Sequence, residues 1–142
     1  MKRNHVIAAL AAGAVLLAFA ARPARAQEWR PPSTSMPLMP ASGDVNDGWA
    51  GGQGSWFIAS RGGVKARAEG GGRQARFVRF SADDMRTLAA WSDRNGDGRC
   101  DMVEVYRDGA LAAQVIDPDY DGTANVMRVY GADGKLVREE RL

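Results

Sequence analysis

Asp93-Arg94-Asn95-Gly96-Asp97-Gly98-Arg99-Cys100-Asp101-Met102-Val103-Glu104-Val105-Tyr106-Arg107-Asp108-Gly109 carries two signals in succession. Its first part places oxygen-bearing side chains at loop positions 1, 3, 5, 9 and 12 (Asp93, Asn95, Asp97, Asp101, Glu104), with Gly98 at 6 and the carbonyl of Arg99 at 7. A hard cation such as calcium takes roughly six to eight oxygens at about 2.3–2.6 Å, and a chain wrapped around one ion must turn sharply midway, where glycine escapes Cβ strain. Asp, Asn and Gly also build ordinary turns. A match at every side-chain position and at the glycine favours the ion over the turn. The second part, Val103, Val105 and Tyr106 followed by Asp108-Gly109, reads as a strand running into a tight hairpin. The stretch therefore predicts a calcium loop set in a β framework.

The chain repeats around this stretch. Residues 72–80 align with 98–106 and with 122–130, at offsets of 26 and 24 residues. Self-similarity at such a period indicates stacked supersecondary units, none of which buries its face alone. Tyr106–Leu111 and Tyr130–Leu136 each hold an Asp-Gly pair between β-rich runs, and an earlier copy begins over Trp56–Val64. The expected fold is mainly β, a small antiparallel meander of repeated hairpins over 56–142, joined by Asp/Gly calcium-type loops. Strand alternation puts Phe77, Val103, Val105, Met127 and Val129 on one face, and Phe80, Tyr106 and Tyr130 in an aromatic ladder on the other. So thin a core gives bound ions a stabilising role.

Residues 82–91 admit two readings. Ser81-Ala82-Asp83-Asp84 has the form of a capping box, and Met85, Leu88 and Ala89 recur at helical spacing, which predicts one short helix entering the loop. Leu88–Asp93 also echoes Leu111–Asp117, which the repeat assigns to a strand.

The loop at 117–128 follows the same plan, with Asp117, Asp119, Asp121, Gly122 and Asn125 at positions 1, 3, 5, 6 and 9, but Arg128 stands at position 12. A guanidinium has no lone pair to offer and repels a cation, so a full site of the first kind is closed to this degenerate copy. A weaker site completed by other oxygens and a plain turn both remain open. Arg67, Glu69 and Gly71 fill the corresponding places of the earliest copy, leaving nothing to bind an ion. Glu104 and Arg128 occupy equivalent positions of neighbouring units, so a cross-strand ion pair competes with ligation by Glu104.

The loop at 93–104 resembles that of EF-hand-domain proteins, and the recurring Asp/Gly pattern is similar to the calcium repeats of dockerins and thrombospondin type 3 modules. The resemblance implies Ca2+ held by Asp93, Asn95, Asp97, the carbonyl of Arg99, Asp101 and Glu104. It covers about 12 residues closely. The chain lacks a second intact loop and convincing exit helices, so opening of a helix pair by calcium is not implied.

The flanks bear on compartment and partners. Lys2 and Arg3, an apolar run from Val6 to Ala21 and Ala24-Arg25-Ala26 predict a signal peptide over 1–26, hence an exported, periplasmic or secreted protein without stable membrane insertion after cleavage. Removing its four basic residues leaves 15 basic against 17 acidic residues, net −2, so the basic pI belongs to the leader and does not point to nucleic acid. Cleavage also removes His5, the single histidine, which excludes Ser-His-Asp and Cys-His catalysis. A lone Cys100 forms no internal disulfide and reads as a small buried hydrophobe. Residues 27–55, rich in Pro, Gly and Ser, are expected to be a disordered leader. The sequence thus predicts a non-catalytic calcium-binding protein with a structural ion. The alternative is an envelope interaction module using the basic and aromatic stretch at 61–80 (Arg61, Lys65, Arg67, Arg73, Arg76, Phe77, Arg79, Phe80) to hold an anionic polymer or a protein partner.

Overall fold

The computed structural model describes residues 29–43, 45–58 and 62–142; the expected signal peptide lies outside them. Seven strands, β1 (Val64–Glu69), β2 (Phe77–Ala82), β3 (Thr87–Ser92), β4 (Met102–Arg107), β5 (Ala110–Ile116), β6 (Val126–Tyr130) and β7 (Leu136–Arg141), form one sheet in chain order. Each neighbour is antiparallel. The chain is therefore mainly β, an antiparallel meander of hairpins, as the Asp-Gly pairs require. Arg107 pairs with Ala110 across Asp108 and Gly109, whose φ values of 50° and 80° are those of a two-residue turn matched to strand twist.

Loops 70–76, 93–101 and 117–125 lie at one end of the sheet and lead into β2, β4 and β6. The core row across the sheet is Val78, Trp91, Val103, Val115 and Met127, and beside it run Phe80, Ala89, Val105, Ala113 and Val129. The expected faces hold for the later units and fail for the first. Phe80 is buried with Val105, whereas Phe77 pairs into the row of Met102 on the opposite face. In space Val78, not Phe77, corresponds to Val103, so the first offset is one residue shorter than the aligned letters suggest. A slip of one residue in a strand exchanges its faces. Tyr106 and Tyr130 keep the outer face without Phe80.

Residues 82–91 contain no helix. Met85 adopts φ 69°, which stops helical propagation, and Asp84 accepts the Arg86 N–H at 3.2 Å in a local turn. Thr87–Ser92 then pairs with strands on both sides, and Leu88, Ala89, Ala90 and Trp91 are all buried. Two ready-made ladders outweigh the modest helix propensity of Leu and Ala. The α-helix of the described residues is instead α1 (Asp47–Gly52), capped by Asn46, whose Oδ1 accepts the Trp49 N–H at 2.9 Å.

The expected disordered leader is corrected by the fold over its described part. Residues 34–42 form an extended strap across all three loops. Thr34 O accepts from Ala124 N and Met36 N donates to Gly122 O; Pro37 O and Met39 N do the same with Cys100 and Gly98, and Pro40 O and Ser42 N with Ala75 and Arg73. The strap advances three residues per loop, pairing Ser35, Leu38 and Ala41 with Thr123, Arg99 and Gln74. Three extended residues span about 10 Å, and successive loops are separated by two strand spacings, also about 10 Å, so one register serves every unit. Ser-Met-Pro-Leu-Met-Pro-Ala (35–41) is built for this: Met36 and Met39 are 1% and 3% exposed while Leu38 between them is 62% exposed. The prolines contribute only carbonyls, which suits residues with no N–H to pair. Beyond the strap, Trp49 stacks on Phe80 at 5.6 Å and meets Trp91 edge-on at 5.8 Å, while Trp56 and Phe57 complete the cluster. One face of the sheet is thus covered by the segment that composition marks as unfoldable.

Candidate metal centre

Loop 93–101 connects β3 to β4 and turns its carboxylates inward. One carboxylate oxygen each from Asp93, Asp97 and Asp101 lies within 4.8 Å of the others. Asp93 and Asp101 are buried, with 3% and 2% exposure, and Asp97 is exposed. Backbone donors fix each group. Asp93 accepts Gly96 N–H at 2.7 Å and Gly98 N–H at 2.9 Å; Asp97 accepts Arg99 N–H at 2.9 Å; Asp101 accepts the N–H groups of Arg94 and Asn95. The bonded oxygens of Asp93 and Asp97 each keep a second lone pair for a cation, while Asp101 takes both donors on Oδ2 and keeps Oδ1 for one. Asn95 Nδ2 donates to Asp97 at 3.1 Å, which sets its amide beside the cluster. Burial pushes the Asp101 carboxyl above the usual range and the charges of Asp93 and Asp97 add to this, against the two N–H donations. The donors are oxygens only, with three negative charges, the set that hard divalent ions prefer.

The carbonyl at position 7 is oriented by the strap. In the antiparallel bridge between Leu38 and Arg99, the bonded groups belong to Gly98 and Cys100. Carbonyls alternate along an extended chain, so the N–H and C=O of Arg99 face away from the strap, on the side where Asp97 accepts that N–H. Arg76 grips the other flank, its Nε donating to Asp93 O at 2.8 Å and its guanidinium also reaching Arg94 O. The glycines are required by φ, and a side chain at either would also have to displace the end of a neighbouring one. A Cβ at Gly98, φ 84°, would stand 2.1 Å from Gln74 Oε1, and one at Gly96, φ 77°, would stand 2.7 Å from Arg76 Nη1.

Of the sequence-predicted ligands, Asp93, Asp97 and Asp101 come together, Asn95 is hydrogen-bonded to Asp97 beside them, Arg99 lies in the same loop, and Glu104 lies outside it. Glu104 lies on β4, paired in register with Ala90 and Gln114, and its carboxylate accepts Gln114 Nε2 at 3.2 Å. The reason is geometric. A helix after the loop would bring position 12 back toward the ion, whereas a strand rising about 3.3 Å per residue carries it roughly 10 Å away from position 9. Glu104 has no ion pair with Arg128 either, because Gln114 stands between them and Arg128 pairs with Glu139 at 2.7 Å.

Loop 117–125 repeats the arrangement. Carboxylate oxygens of Asp117, Asp119 and Asp121 lie within 4.8 Å of one another, Asp117 accepts Gly122 N–H at 2.7 Å and Asp121 accepts Thr123 N–H at 2.8 Å. Asp119 is held above the ordinary carboxylate range, chiefly because a proton on it would be shared with Asp117, then by slight desolvation and the charge of Asp121. Position 8 is a small buried residue in every unit, Ala75, Cys100 and Ala124. Burial raises the Cys100 thiol to about 12.

The basic and aromatic stretch is divided between the core, the loop and the outer face of β1 and β2, where Arg67 stands opposite Arg79 in register, Lys65 lies on the same face and the Arg79 guanidinium sits over Phe77. Phe80 is in the core and Arg76 is engaged with loop 93–101, while Lys65, Arg67 and Arg79 remain exposed; Arg61 lies outside the described residues. Sequence reasoning missed the strap and Arg76 as supports of the loop. The triplet spacing of Met-Pro-Leu-Met-Pro was the available signal.

No family model matches this chain, and no curated protein matches it. Among solved structures, the chain is similar at 16% identity and a TM-score of 0.36 to one described as "Crystal structure of GtfA/B complex bound to UDP and GlcNAc". The match covers 60% of this chain and 21% of that one. A likeness so slight carries no argument about fold or activity.

Proposed function

We propose that this chain is an exported, non-catalytic protein that binds calcium in loop 93–101, where the ion ties the strap to the sheet. Asp93, Asn95, Asp97 and Asp101 supply side-chain oxygens and Arg99 its carbonyl. The observation that carries the reading is the convergence of carboxylates from positions 1, 5 and 9, two of them buried, on one short loop. Three like charges held this close repel one another, and a divalent ion relieves the repulsion while drawing on lone pairs left free by the backbone donors. The carboxylates are better accounted for as ligands than as acid–base pairs, and the only histidine is His5. The dissociation constant expected for an extracellular-type site is about 10⁻⁴–10⁻³ M.

The test is a calcium titration of the full-length protein by calorimetry, beside Asp97→Asn, whose exposed position spares the fold. Wild type should bind more tightly than the variant and should gain thermal midpoint over a chelator control. Equal heats and equal midpoints in the two proteins would end the proposal.

A further inference from the structure

The two acidic loops differ in how well the protein satisfies them. Loop 93–101 hydrogen-bonds both oxygens of Asp93 and gives Asp101 two backbone donors. Loop 117–125 leaves two acceptors stranded: Asp117 Oδ1, on a side chain only 1% exposed, and Asn125 Oδ1 are both buried and without a hydrogen-bond partner. For Asn125 the cause is in the letters. Pro118 stands where Arg94 donates its N–H to the position-9 side chain, and proline has none. Tyr120 stands where Gly96 donates to the position-1 carboxylate and shares its left-handed conformation, φ 60° against 77°, but its N–H makes no such bond to Asp117 Oδ1. A buried carboxylate oxygen is costly to leave without a partner, and this is the observation that points to a ligand in this loop.

We propose that loop 117–125 is a second divalent-cation site of the calcium class, with the side chains of Asp117, Asp119, Asp121 and Asn125 and the carbonyl of Thr123 as ligands. Arg128 at position 12 does not oppose it. On the strand that carries it, Arg128 pairs with Gln114 in register and with Glu139 by charge, as remote from the loop as Glu104 is from the first. The charge is also sufficient. Both loops carry three carboxylates and one carboxamide, the amide moving from position 3 (Asn95) to position 9 (Asn125). The strap positions the seventh carbonyl as before, since Gly122 and Ala124 take the strap's hydrogen bonds and Thr123 N–H turns to Asp121. Oxygen donors of this kind, in an irregular loop, suit calcium better than the strict octahedron of magnesium.

The second site rests on its own stranded oxygens, and its test separates it from the first. The amides of Gly98 and Gly122, bonded to Asp93 and Asp117, report the two loops individually in an NMR titration of the full-length protein with calcium alone. Both should shift and saturate in wild type. In Asp119→Asn with Asp121→Asn, two exposed replacements, the Gly122 response should weaken by at least tenfold in calcium concentration while Gly98 is unchanged. Calorimetry should then count two ions in wild type and one in the double variant. If Gly98 responds and Gly122 does not, the stranded oxygens hold water only; the second site is overturned and the first stands. If Gly122 responds alone, the first reading fails and this one holds. Silence from both, several-fold above ~1 mM calcium, removes both.

Discussion

Replacing Met39 by alanine tests the strap, the element on which the architecture most depends. Met39 lies at 3% exposure over the core, and Met→Ala at such sites costs about 2–5 kcal/mol through lost transfer energy and the cavity left behind. A flexible thioether on an extended strap lets neighbours relax, which places the cost near the lower end, about 2–3 kcal/mol. For a domain of this size that lowers the thermal midpoint by roughly 10–20 °C. Urea unfolding followed by tryptophan fluorescence is suitable because Trp49, Trp56 and Trp91 meet in one cluster. Leu38→Ala, one residue away and 62% exposed, should cost under about 0.5 kcal/mol. If the two substitutions cost the same, residues 34–42 are not docked and the account of the covered sheet face is wrong.

Three further outcomes follow from the loops. Gly98→Ala would drive a methyl toward Gln74 Oε1 at a left-handed φ, and should cost about 1–3 kcal/mol in urea unfolding, whereas Gly134→Ala, which meets no neighbour, should cost only its conformational strain of about 1 kcal/mol. Arg76→Ala removes charged hydrogen bonds to the carbonyls of Asp93 and Arg94 and should destabilise by about 1.5–3 kcal/mol; Arg76→Lys, which cannot span both, should recover only part. With its thiol raised to about 12, Cys100 should stay unlabelled by a disulfide reagent at neutral to mildly alkaline pH until denaturant is added, because only the thiolate attacks. Rapid labelling of the native protein would show the loop to be open.

Part of this architecture can be read before any coordinates. Asp108-Gly109 between Tyr106 and Leu111 specifies a tight hairpin through backbone sterics alone, and the recurrence of such units specifies a meander. Positions 1, 3, 5, 7 and 9 of the first loop are local in the same sense: the residues that must converge are neighbours, and the turns that bring them together are made by Asx side chains and glycines within nine residues. Residues 82–91 were ambiguous for the opposite reason. Their helix signals are local, whereas the strand that forms draws its hydrogen bonds from β2 and β4.

The sequence by itself determined the β-hairpin repeat and the clustering of Asp93, Asp97 and Asp101 in loop 93–101, because hairpin turns and Asx loops are short-range physics. Tertiary structure alone decided the fate of Glu104, which depends on the path taken after the loop, and the face of Phe80, which depends on a register shared with six other strands. It also decided that a Pro/Gly-rich segment is ordered: the strap gains its hydrogen bonds and buried methionines only once the loops are stacked at a matching spacing. The same stacked frame leaves two oxygens of loop 117–125 unpaired, which no reading of single residues could count.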